Sequence, residues 1–162
     1  MAIELFSNQL LIILAFIGVG IPISLAARFF ELKGLQVWLP FSIIIAIGIN
    51  PIAGFLVAAV IMGVSFAVKP YPPITLAIML AVLGAMLYAL QMFAITRGNF
   101  LFIAMMSTIA YLAVIDIALA FVYPDIKTAI LFLAFGVPIS FILYSQIGWA
   151  AIQILQSAPK LF

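Results

Sequence analysis

The chain contains no cysteine and no histidine, and these two absences remove most catalytic chemistry. Without them a protein lacks the usual side-chain ligands of haem and iron–sulfur clusters, most zinc sites and the commonest general base. Catalytic arrangements of the Ser-His-Asp and Cys-His types are excluded. We therefore expect the chain to hold no cofactor or metal, although it can still be a cofactor-free subunit of an enzyme complex.

Charge is almost as scarce, since only 6% of the 162 residues are Asp, Glu, Lys or Arg. Soluble domains carry about 25%. The formal net charge of +2 comes from scattered basic residues without a basic run, so we expect no nucleic-acid partner. With 69% apolar residues and a mean hydropathy of +1.48, the composition excludes a soluble globule and predicts a lipid bilayer as the environment.

Sequence motifs of known chemistry are also missing. The chain has no glycine-rich phosphate loop, no paired-carboxylate metal motif and no nucleophile elbow. The polar segments between its apolar runs are too short to hold a catalytic domain. These absences predict that the chain has no enzymatic activity of its own.

The longest apolar stretch, residues 36–69, exceeds one ordinary membrane span. A bilayer core about 30 Å thick takes about 20 helical residues. Near the middle of the stretch lie Gly48, Asn50 and Pro51, which suit the position after a helix end, an N-cap and a first helical turn. We predict that one helix ends near Gly48 and that another begins at Asn50.

Four further apolar runs are long enough to cross a membrane. They cover residues 10–27, 74–95, 100–122 and 128–155, with Pro22 inside the first and Pro138 inside the last. The last run is longer than a bilayer requires, so we expect it to tilt, kink or emerge from the bilayer. Continuous rather than alternating apolar residues exclude a transmembrane β-barrel.

The predicted fold is therefore all-α, a polytopic transmembrane helix bundle that forms a single integral membrane domain over residues 1–162. It has five to six membrane segments, and its second hydrophobic stretch is broken or re-entrant. Residues 40–48 supply only half a span, so that stretch can form a re-entrant half-helix, a hairpin or one long broken helix.

The basic residues constrain orientation but do not choose between these arrangements. If the stretch crosses once, Arg28 and Arg97 share a side, and otherwise they lie on opposite sides. In every case the positive-inside rule places the first loop in the cytoplasm and the N-terminus outside, in a multi-pass protein of the cell membrane.

The segment between the first two apolar stretches, RFFELKGLQVW at residues 28–38, mixes charged and aromatic residues. Tryptophan is enriched at the boundary between membrane and water. We predict that this segment lies along the bilayer surface with Trp38 as its anchor.

Asp116 is the single ionisable residue well inside a span, in the sequence YLAVIDIAL. A carboxylate at such a position costs about 3 kcal/mol or more unless it is protonated, solvated or paired. Its candidate roles are ion or proton passage, contact with a partner subunit, or a hydrogen bond between helices. Asn50 and Pro51 are the second candidate, as a plain N-cap or as the start of a half-helix beside a solute path.

Small residues recur at four-residue spacing in two of the predicted helices. In lipid this spacing lets helix backbones approach closely, so it predicts packing seams. The candidate packing residues are Gly54, Ala58 and Gly63 after the break, and Ala77, Ala81, Gly84 and Ala85 in the third clear span. Packing within the subunit is the preferred interpretation, and packing against another protein stays open.

Two functional classes agree with this sequence. The preferred one is a non-catalytic integral membrane subunit that packs against and stabilises other membrane subunits of a larger complex, such as a respiratory or energy-converting one. The alternative is a small channel or transporter for an ion or small solute, acting as a homo-oligomer and using the Asn50-Pro51 break and Asp116.

Overall fold

The helices of the chain follow the apolar runs of its sequence. A computed structural model describes residues 2–32, 34–68, 70, 72–122 and 126–157, with side chains from residue 9 to 122 and from residue 130 onward within those ranges. The helices are α1 (Ala2–Phe29), α2 (Trp38–Gly48), α3 (Pro51–Val68), α4 (Pro73–Ala89), α5 (Phe100–Ala120), α6 (Ile126–Leu143) and α7 (Trp149–Gln156). A 3₁₀ turn, Leu90–Met92, extends α4, and a π-helical turn, Tyr144–Gly148, joins α6 to α7.

Among the described residues, five helical segments are long and apolar enough to cross a membrane. They are Gln9–Phe29, Pro51–Val68, Pro73–Met92, Phe100–Ala120 and Ile130–Gln156. Throughout the described ranges the regular structure is helical, and large apolar side chains such as Leu11, Phe102 and Ile117 are exposed on the outside of the bundle. These features confirm the predicted all-α polytopic helix bundle.

The predicted break in the second hydrophobic stretch is confirmed. α2 ends at Gly48, α3 begins at Pro51, and the amide of Ala53 donates to Oδ1 of Asn50 at 2.8 Å. Asn50 is thus the N-cap of α3. The two helices form a hairpin with unequal arms of 11 and 18 residues.

α2 lies at the centre of the bundle, and its side chains from Trp38 to Ala46 are all buried. The ring of Phe41 stacks on Phe16 of α1 at 4.5 Å between centroids. Gly54 of α3 lies against the backbone of α2, because a Cβ at Gly54 would collide with the carbonyl oxygen of Ser42. The interior of the bundle is therefore filled by a short helix.

The predicted surface position of Trp38 is wrong. Its side chain is only 6% exposed, and its ring lies 5.6 Å from the ring of Tyr111 in the middle of α5. Gly34 and Gln36, which precede it, are also buried. The chain therefore enters the bundle in irregular conformation before α2 begins, which lipid tolerates where protein covers the backbone.

Contacts between distant parts of the chain define the two ends of the bundle. We call the first of them the Asn50 end. There Nε2 of Gln9 donates to the carbonyl of Leu155 at 2.7 Å, and Gly48 also lies against Leu155. We call the second the Arg28 end. There the Arg28 guanidinium lies 4.6 Å from the ring centroid of Phe66.

The hydrophobic stretch of residues 36–69 approaches the Asn50 end along α2 and returns to the Arg28 end along α3. α4 then leads back to the Asn50 end, so Arg97, which precedes α5, lies at the opposite end from Arg28. A single crossing of the membrane by residues 36–69 would place Arg28 and Arg97 on the same side. The structure does not adopt that arrangement. The side chains of Lys33, Lys69, Lys127 and Lys160 fall outside the described residues.

Candidate functional site

Asn50 and Pro51 form a helix start at one end of the bundle. The Asn50 side chain caps α3, and Pro51 is the first residue of that helix. Nearby, Nε2 of Gln156 donates to the carbonyl of Ile47 at 3.4 Å, which places the α2–α3 turn beside the end of the last span. This geometry supports the N-cap interpretation of Asn50.

Replacement of Asn50 by alanine is expected to lower the free energy of unfolding by about 1 kcal/mol, the usual loss for a missing N-cap. Thermal unfolding in detergent, followed by circular dichroism, measures this change. Asn50→Ser, which keeps an oxygen acceptor, is the matched control and should retain most of the stability. Equal losses for the two variants would contradict a capping role.

Asp116 lies one helical turn before the last residue of α5, near the Arg28 end. Its side chain is half-buried, and Oδ2 is enclosed without a hydrogen-bond partner among the described residues. Asn50 is at the other end of the bundle. The structure therefore does not bring the two candidates for a solute path together.

The small residues after the break differ in their surroundings. Gly54 and Ala58 are buried, and Gly54 faces Ser42 and Ala46 of α2. A Cβ at Gly63, by contrast, would meet nothing within 4 Å. Close approach of backbones thus occurs at Gly54, near the turn of the hairpin.

The small residues of α4 face two ways. A Cβ at Gly84 would lie 3.6 Å from the Phe55 ring of α3, so Gly84 is at a contact inside the bundle. Ala77, Ala81, Ala85 and Ala89 are exposed and form a strip that we name the alanine face of α4. The bundle leaves this strip uncovered among the residues that the structure describes.

Sequence reasoning missed a polar cleft beside the π-helical turn, at the Asn50 end. Its volume is about 390 Å³, and its polar lining consists of Arg97, Tyr144, Ser145, Gln146, Trp149 and Gln153. The Tyr144 and Thr108 hydroxyls are hydrogen-bonded at 2.8 Å. The excess length of the last apolar run was the only sequence signal for a distortion at this position.

Comparisons with protein-family models, curated proteins and solved structures gave no match. The class of the protein therefore rests on its own fold and surface. Several apolar helices around a mainly apolar core, with exposed leucine, isoleucine and phenylalanine outside, define a multi-pass α-helical membrane protein.

Proposed function

We propose that this chain is a non-catalytic integral membrane subunit of a larger complex, which packs against and stabilises unlike partner subunits. The observation that carries this proposal is the alanine face of α4. Ala77, Ala81, Ala85 and Ala89 are exposed along more than three turns of a helix that crosses the bundle from end to end. The proposal assigns a transmembrane helix of a partner subunit to this face.

The physics of helix association in lipid supports this assignment. Because lipid tails are as apolar as leucine, transmembrane helices associate through van der Waals packing and hydrogen bonds, and small residues permit the closest approach. Exposed positions on α5 carry bulky side chains such as Phe102, Val114 and Ile117. The alanine face of α4 has the shape that suits a second helix.

The filled interior supports a subunit more than a channel. α2 occupies the centre with apolar side chains, and several polar side chains bond to their own helix. Ser42, Ser65 and Ser107 each donate to a backbone carbonyl at 2.8 Å. These hydroxyls therefore have satisfied hydrogen bonds, and the transport alternative has less support.

Asp116 adds a second argument for partner subunits. Its carboxylate has an oxygen, Oδ2, that accepts no hydrogen bond from the described residues, but the side chain is only half-buried and the next residue, Ile117, is 62% exposed, so part of Asp116 lies at the outer surface of the bundle. An unpaired carboxylate in a span is costly, and a donor from a neighbouring chain offsets that cost. Asp116 is accordingly proposed as an interface residue.

The absence of cysteine makes a direct test available. An Ala81→Cys variant labelled with a maleimide photo-crosslinker in native membranes is expected to give adducts with an unlike protein of constant mass. Leu11→Cys, on an exposed bulky position of α1 away from both proposed contacts, is the matched control and should give no protein adduct. Mass spectrometry of complexes purified in mild detergent identifies the partner.

A second variant tests the packing itself. Ala81→Phe is expected to lower partner recovery about fivefold or more, because overpacking costs about 1–3 kcal/mol and each 1.4 kcal/mol is a factor of ten. Leu11→Phe, on the exposed surface of α1, is the control for added bulk. Adducts only between copies of this chain, or partner recovery unchanged by Ala81→Phe, would contradict the proposal.

A further inference from the structure

We propose that the cleft beside the π-helical turn binds an anionic phospholipid from the surrounding bilayer. Its phosphate is held by the Arg97 guanidinium and the side-chain amides of Gln146 and Gln153, and its acyl chain lies against Phe100 and Leu101. This site is separate from the alanine face of α4 and does not depend on a partner subunit.

The chemistry of the lining selects an anion. Arg97 is exposed, and it is the charged residue among the described residues that line the cleft. The amides of Gln146 and Gln153 add further donors. A phosphate oxygen is an acceptor that matches these donors.

The position of the cleft selects a lipid rather than a soluble anion. Arg97 lies in the segment between α4 and α5, at the Asn50 end, where the spans meet the bilayer surface. Arginine and tryptophan at this level are typical headgroup contacts, and basic pockets between membrane helices bind anionic headgroups. The apolar side of the same cleft, Phe100, Leu101 and Ala150, suits an acyl chain.

The π-helical turn creates the space. The extra residue in this turn changes the direction of the side chains that follow it, and such turns are frequent at functional sites. Gly148 allows the Phe100 ring to approach, because a Cβ there would lie 2.7 Å from Phe100 Cζ. The ring centroids of Phe100 and Trp149 are 5.8 Å apart, so the two rings form one wall of the cleft.

Lipid titration of the purified full-length protein, followed by native mass spectrometry, tests the proposal. We expect one phosphatidylglycerol to bind at least tenfold more tightly than phosphatidylcholine. Arg97→Gln should weaken phosphatidylglycerol binding about tenfold. Gln153→Leu removes the amide donors of an exposed side chain, and it should also weaken binding several-fold without changing the melting temperature in lipid-free detergent.

Lys127→Gln is the charge-matched control, since it also removes one positive charge and residue 127 belongs to the first turn of α6, at the other end of the bundle from the cleft. It should leave phosphatidylglycerol binding unchanged. Equal binding of the two lipids, or equal weakening by Arg97→Gln and Lys127→Gln, would overturn the site. Displacement of the lipid by millimolar inorganic phosphate would show that the ligand is a free anion and would overturn the lipid assignment.

Discussion

Gly54→Ala is expected to lower the free energy of unfolding by about 1–3 kcal/mol, the usual cost of overpacking a dense interior. The added methyl would collide with the carbonyl oxygen of Ser42 and lie 2.8 Å from Cβ of Ala46. Both atoms belong to α2, which is enclosed by other helices and has no free space to move into. Unfolding by sodium dodecyl sulfate from mixed micelles, followed by circular dichroism, measures the loss.

Gly63→Ala is the matched control for this prediction, because it makes the same change on the same helix. A Cβ at Gly63 would meet nothing within 4 Å. Alanine exceeds glycine in helix propensity by about 1 kcal/mol, so this variant should be as stable as the wild type or more so. If both variants had the same stability, close contact between α2 and α3 at Gly54 would be refuted.

Gly34→Ala has the second large expected effect, which is to lower the free energy of unfolding by about 2–4 kcal/mol. Gly34 has φ of +97°, a conformation that costs residues with a Cβ about 1–2 kcal/mol. The methyl would also collide with the carbonyl oxygen of Leu131 and lie 3.1 Å from Cβ of Phe135 in α6. Backbone strain and steric overlap therefore act together at this position.

The control for Gly34 is Gly98→Ala, since Gly98 is also in a connecting segment. A Cβ there would meet only Thr96 Oγ1, at 3.9 Å, and Gly98 lacks the positive φ. The free energy of unfolding of the Gly98→Ala variant should equal that of the wild type. Because Gly34 directs the chain toward α2, its variant should also shift the near-ultraviolet circular dichroism of the Trp38–Tyr111 pair. A stable Gly34→Ala protein with an unchanged spectrum would contradict the buried entry of this segment.

The sequence predicted the features that depend on local chemistry. Gly48, Asn50 and Pro51 break the helix because glycine, asparagine and proline act on the backbone within a turn of their own position. The span boundaries follow equally from apolar runs that end at polar residues or prolines. These expectations need no knowledge of what the helices pack against.

Features that depend on tertiary packing could not be predicted in this way. Trp38 has the same local pattern whether it anchors a surface segment or fills a core, and only the contact with Tyr111 distinguishes them. In α4, alanines and Gly84 recur together, but the alanines face outward while Gly84 faces Phe55. Which side of a uniformly apolar helix faces lipid is set by its neighbours rather than by its periodicity.

The candidate sites also differ in whether local sequence or tertiary packing determines them. Asp116 was predictable because a charge within an apolar run is visible in sequence alone. The cleft was not, because Arg97 and Trp149 are far apart in sequence and meet only when α5 and the π-helical turn pack together. Pairs of this kind require the fold before they can be recognised.

The enclosure of α2 has a consequence for biogenesis. With 11 residues, α2 is shorter than the about 20 residues of a span, and it is covered by both early and late parts of the chain, Phe16 and Leu155 among them. While the ribosome is still synthesising α6, the Gly48 side of this helix has no α7 to cover it. Completion of the core therefore waits until α7 has been synthesised. An insertase or intramembrane chaperone that shields the nascent bundle until then is the cellular factor on which its yield should depend.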